Sequence, residues 1–138
     1  MTSAPPRHTA AFWWTATAIV AVVLFALANN GLVYNLTSPD SLDFHELLRK
    51  FYSVVAFGGL GFCAARAAAA SGWGTSAVSV GWWLAGFSAA IEVVQALTPP
   101  PEGLLSNAVD VACGWLGGWL GAIVSARLRW RGPWSGRQ

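Results

Sequence analysis

Glu92 and Gln95 stand three residues apart in an otherwise apolar stretch, with Ser88 one helical turn before them, and Asp110 follows in the next apolar stretch. Residues three or four apart share a helix face, so Ser88, Glu92 and Gln95 form one polar stripe. An ionisable side chain inside an apolar span costs a few kcal/mol at a bilayer centre and generally faces the bundle interior. Two carboxyls and an amide can bind hydrogen-bond donors or exchange protons with a ligand. Glu92 and Asp110 are therefore the candidate catalytic groups, and Glu92, Gln95 and Asp110 the candidate ligand-binding set, with Gln95 orienting. His45 is a third catalytic candidate, as general base or proton carrier, if it reaches Glu92. The competing reading of these groups is structural: interhelical hydrogen bonds, or for Asp110 an acid favoured by the helix dipole at a helix start.

Other chemistries lack their motifs. The sequence contains no Gly-x-Ser-x-Gly, His-Glu-x-x-His or phosphate-loop pattern. Cys63 and Cys113 fall inside apolar segments without metal-ligand spacing and read as buried thiols, so neither a metal nor a cofactor is expected.

The elements that must hold these groups are membrane helices. Of 138 residues, 55% are hydrophobic and only 10% charged, against about a quarter charged in soluble domains. With a mean hydropathy of +0.50, the chain reads as an all-α, polytopic membrane protein, a four-transmembrane-helix bundle lying in the lipid bilayer. The spans are expected at 10–28, 51–70, 77–97 and 108–126, forming one domain over 10–126 between a disordered leader, 1–9, and a basic cytoplasmic tail, 127–138.

The first span competes with a signal peptide, since Arg7 precedes it and Ala26-Leu27-Ala28 imitates a cleavage site; its length favours a retained helix. A polar loop with Asp40, Asp43 and His45 follows. Span two carries Gly58, Gly59 and Gly61, and Arg66 near its end is expected to snorkel to the headgroups. Pro99-Pro100-Pro101 stops span three, and Ser106-Asn107 offers an N-cap for span four. Most of the nine tryptophans, among them Trp13, Trp14, Trp73, Trp130 and Trp134, suit interfacial positions.

An even number of spans puts both termini on one side, with Arg7, Arg66 and the arginines of the tail, hence in the cytoplasm. Arg49 and Lys50 then lie outside and are discordant. Glu92 falls five residues before the end of its span and Asp110 two or three after the start of the next. Each is within roughly 8 Å of the outer boundary. They are expected to share a shallow, outward-opening pocket in which two close acids raise each other's proton affinity, unless Arg49 or Lys50 serves as counter-ion. On span four Ser106, Asp110, Gly114, Gly117 and Gly121 recur at three- or four-residue spacing, and the three glycines are expected at a helix contact.

Glu92-x-x-Gln95, an outer loop, and Asp110 with glycines at 117 and 121 resemble the signature of the VanZ-like family of small bacterial membrane proteins. Phe57-Gly-Gly-Leu-Gly-Phe62 is similar to that family's second-helix block. Three positions depart from the family pattern: Pro-Pro-Pro-Glu-Gly stands where a loop Arg is usual, Gly114 where Asn is usual, and Ser53 where Asn or His is usual, unless His45 substitutes from a shifted register. The resemblance covers helices two to four and implies a divergent member in the bacterial cytoplasmic membrane. It further implies a role in the cell envelope, linked to antibiotic resistance of the glycopeptide (teicoplanin) type.

Three functions remain open on these grounds: binding or modification of an outer-leaflet lipid or cell-wall-related ligand; a non-catalytic helper that docks a larger membrane protein or a second copy; and a proton-coupled carrier. Nucleic acid is not an expected partner, since the basic tail is short and carries no folded platform.

Overall fold

The structure, a computed structural model, describes residues 7–30, 45–97 and 104–130, with the side chains of residues 7, 8, 45, 129 and 130 outside that description. Four helices account for nearly all of it: α1, Arg7–Ala28; α2, His45–Ala70; α3, Ala77–Ala96; and α4, Leu104–Trp130. Each is long and apolar enough to cross a membrane, and no strand occurs among the described residues. At 1.5 Å per residue even the shortest, with 20 residues, matches a hydrocarbon core of about 30 Å. The chain is thus all-helical and has the architecture of a multi-pass membrane protein.

The helices run further than hydropathy suggests. Arg7 to Thr9 belong to α1, so part of the expected leader is helical; α2 begins at His45 rather than 51, and α4 spans Leu104 to Trp130 rather than 108 to 126. Charged residues end an apolar window, but backbone hydrogen bonds continue through them where the helix enters the headgroup region. Glu46 in the first turn of α2 adds a favourable dipole interaction. Ser106 and Asn107 consequently lie inside α4 and do not cap it. The elbow at Pro99 to Glu102, the loop acids Asp40 and Asp43, and Trp134 lie outside the described residues.

Between α2 and α3 the chain turns tightly. Gly72 takes φ +76°, and the Trp73 and Gly72 amides donate back to the Ala68 and Ala69 carbonyls, closing the last turn of α2 as a Schellman motif. Ser76 then caps α3, its hydroxyl accepting from the Ser79 amide at 3.1 Å.

The core forms where α2 and α3 pack on α4, around Leu60, Ala64, Ala65, Val80, Leu84 and Ala122. Small residues set the approach. A Cβ at Gly61 would lie 2.6 Å from the Gly118 Cα, and one at Gly117 would lie 2.5 Å from the Val54 carbonyl oxygen. Gly117 and Gly121 meet α2, whereas Gly114 meets Ser88 and Leu84 of α3. The three glycines therefore do not share one contact face.

Helix α1 lies against α2 on the bundle's outside, and none of its described residues is fully buried. Its N-terminal half is held by aromatic and polar contacts. Trp13 stands edge-on to Phe62, the Trp14 indole donates to the Ser71 hydroxyl at 2.9 Å, and Arg66 sits over the Trp13 ring at 5.1 Å. Arg66 thus makes a half-buried cation–π contact.

Candidate functional site

The antiparallel order of the helices brings the last turn of α1, the first turns of α2, the last turns of α3 and the first turns of α4 to one end of the bundle. Every candidate group lies on these segments. On α2, Val54 and Phe57 pack against Gly117, which fixes the face of α2 turned to α4. Lys50, one turn before Val54, continues that face towards the open end. On α4 the matching position is Asp110, two turns before Gly117. Lys50 Nζ meets Asp110 Oδ2 at 2.5 Å, with the two side chains 17% and 13% exposed.

Further bonds fix this pair. Ser106, one turn before Asp110, accepts from Arg49 Nη2 at 3.3 Å and Lys50 Nζ at 3.4 Å. From the other side, the buried Ser88 hydroxyl of α3 donates to the Asp110 backbone carbonyl at 3.1 Å. Asp110 is therefore tied to α2 through its carboxylate and to α3 through its backbone. It lies beyond the first turn of α4, which contains no acidic residue, so a helix-start dipole does not account for its position. Of the two expectations for Asp110, the acid pair without a cation does not describe it and the alternative does: Lys50 is its counter-ion.

Gln95 points elsewhere. Its Nε2 donates to the Ala28 carbonyl at 2.8 Å, satisfying one of the carbonyls left open at the end of α1. Glu92, one turn after Ser88, is half-buried and makes contacts of its own. The three candidates thus share one end of the bundle but divide their described bonds: Asp110 towards α2 and α3, Gln95 towards α1. His45 is the first residue of α2, and its side chain lies outside the described residues.

Towards the same end a half-open cavity of about 200 Å³ lies between α1, α2 and α3. Leu24, Leu27 and Ala28 of α1, Ala56 and Phe57 of α2, and Ile91 of α3 form its apolar walls, and Arg49, Tyr52 and Ser53 its polar lining. The cavity is not readable from the candidate motif, whereas the Arg49-Lys50 pair at the start of an apolar span, facing the same end as Asp110, signals the counter-ion without deciding between the two.

Among the described residues no three His, Cys, Asp or Glu side chains converge as a metal site requires. Cys63 and Cys113 are both free thiols, half-buried in α2 and α4. No family model, curated protein or solved structure matches the chain.

Proposed function

We propose that this chain is a divergent VanZ-like protein of the bacterial cytoplasmic membrane, with both termini in the cytoplasm. Its outward-facing polar site, with Glu92, Gln95 and Asp110, binds or acts on an outer-leaflet lipid or cell-wall-related ligand. The link to glycopeptide (teicoplanin) resistance comes from the resemblance alone. The observation that supports a ligand site is the cluster of Lys50, Asp110 and Ser106 set between helices, with Arg49 bonding Ser106 and also lining an open apolar cavity. A purely adhesive polar contact needs no adjoining space, whereas an amphiphilic ligand needs both.

The test is made in cells carrying Glu92→Gln or Asp110→Asn, each checked for insertion and folding. Loss of teicoplanin tolerance and of any lipid or cell-wall difference, with the protein still folded, is the expected result. Full retention of both in folded variants removes the reading.

A second reading, a non-catalytic helper that docks a larger membrane protein, is favoured by one feature. Gly59 and Gly86 face outward, and an added Cβ at either meets nothing within 4 Å, which leaves room for close approach by a partner helix.

A further inference from the structure

We infer that Arg66, held over the Trp13 ring at the seam of α1 and α2, binds the phosphate of an anionic phospholipid in the leaflet that meets the α2 to α3 turn. This site lies at the opposite end of the bundle from Asp110 and stands independently of the proposed ligand site. Three observations lead to it.

Arg66 is fixed in place, yet its hydrogen-bonding capacity is unspent. Its side chain is half-buried, and its one interaction among the described residues is with the Trp13 ring, 5.1 Å from the centroid. Trp13 is itself set by edge contacts with Phe12 and Phe62, so the cation rests on a fixed platform. The ring attracts the charge but offers no oxygen to the five N–H donors of a guanidinium. Ionisable groups inside membrane helices ordinarily pair with another group, and one without a protein partner points to a ligand.

The neighbours of Arg66 place it at headgroup depth. It lies four residues before Ala70, the last residue of α2, or roughly 6 Å along the axis. Just beyond, the Trp14 indole bonds the Ser71 hydroxyl and its ring lies 5.3 Å from that of Trp73, which is 55% exposed. Tryptophans with one polar and one apolar end settle at the level of the headgroups. A long arginine side chain one turn inside that level reaches the phosphates.

The charge of this end selects the head. Arg127, exposed on α4, belongs to it as Arg66 does, whereas the described acids Glu46, Glu92 and Asp110 lie at the other end. The ammonium of a zwitterionic lipid therefore meets cations and no described carboxylate, while an anionic phosphodiester meets a planar fork suited to two of its oxygens. A phosphate bound there is joined through Arg66 to Trp13 of α1, the helix with no fully buried described residue. Bound lipid should accordingly stabilise the folded bundle.

The experiment uses the full chain in neutral detergent, titrated with phosphatidylglycerol, phosphatidylcholine of the same chains, and glycerol phosphate, and read by native mass spectrometry and thermal unfolding. Phosphatidylglycerol is expected to bind roughly tenfold tighter than phosphatidylcholine, the scale of a hydrogen bond to a charged group, and to raise the unfolding temperature. Glycerol phosphate should do neither at the same concentrations. Arg66→Gln should remove most of the preference. Arg66→Lys, which keeps the charge but not the fork, should lose roughly threefold of it. Arg127→Gln, which removes an exposed cation of the same end, should leave it intact.

Equal affinity of the unaltered protein for the two lipids overturns the inference, as does a preference that survives Arg66→Gln. A preference that falls as far in Arg127→Gln as in Arg66→Gln would be an effect of diffuse surface charge and overturns it too. Saturation by glycerol phosphate at the affinity of the lipid would make the ligand a soluble phosphate, again overturning it. Should Arg66→Gln fail to fold, Arg66→Lys decides: an undiminished preference there overturns the inference.

Discussion

The Lys50 to Asp110 pair is the residue-scale feature with the largest consequence. Both groups are mostly buried between α2 and α4, where removing one partner strands the other charge. Breaking a buried pair costs about 3–5 kcal/mol, and the residual exposure here places the loss at the lower end. Lys50→Met should therefore destabilise the folded bundle clearly more than Lys50→Met combined with Asp110→Leu, because the double variant leaves no uncompensated charge. Reversible unfolding in detergent or bicelles measures this; a double variant no more stable than Lys50→Met would show that the charges act independently. The apolar surroundings of Asp110 already mark it in the sequence as a group retained at a cost. Its partner depends on the rotational setting of α2 against α4, which periodicity within either helix does not contain. Gln95 makes the same point: three residues from Glu92 on one face, it nevertheless bonds the Ala28 carbonyl of α1.

At the scale of elements, the glycines decide which helices are neighbours. In a helix of 3.6 residues per turn, consecutive residues are about 100° apart, so a Cβ added at Gly117 would meet α2 and one added at Gly118 would meet Leu84 and Gly81 of α3, while the Gly118 backbone also borders Gly61 of α2. That double duty makes α4 the centre of the bundle. An added Cβ at Gly117 would lie 2.5 Å from the Val54 carbonyl and 2.8 Å from the Phe57 Cβ, whereas at Gly59 it would meet nothing within 4 Å. Gly117→Leu should accordingly lose more than the 1–3 kcal/mol typical of overpacking, because backbone rather than a flexible side-chain end is in the way. Gly59→Leu should change stability little. The paired comparison, by the folded fraction extracted in mild detergent, checks the seam; equal effects at the two positions would place it elsewhere. The four spans were legible because a chain this short has no soluble core large enough to bury four apolar runs of bilayer length. Their ends were less so, since Glu46, Arg49 and Lys50 close a hydropathy window without interrupting the helix that contains them. The face-splitting of Gly114 from Gly117 was hidden for a related reason: three- and four-residue spacings cover a broad stripe, and two partner helices can share it.

Charge is divided along the whole molecule. Among the described residues Arg7, Arg66, Arg127 and Arg129 belong to the end with the α2 to α3 turn, and no described acidic residue does. The described acids Glu46, Glu92 and Asp110, with the cations Arg49 and Lys50, belong to the opposite end. Lys50 is engaged by Asp110 and Arg49 bonds Ser106, so these two are structural cations held between helices rather than free loop charges of the kind that govern insertion. The rule that positive flanks stay in the cytoplasm weighs Lys and Arg in short loops and near span ends, and gives acids little weight. On that rule the proposed orientation, with both termini in the cytoplasm and the charged cluster towards the outer leaflet, is the one the arginines favour. In a Cys63→Ser, Cys113→Ser background, Glu102→Cys should react with a membrane-impermeant maleimide on intact cells, and Ser135→Cys only after lysis. The opposite pattern would invert the protein and put the charged end of the bundle at the inner leaflet. Labelling of both sites on intact cells would instead require an odd number of spans.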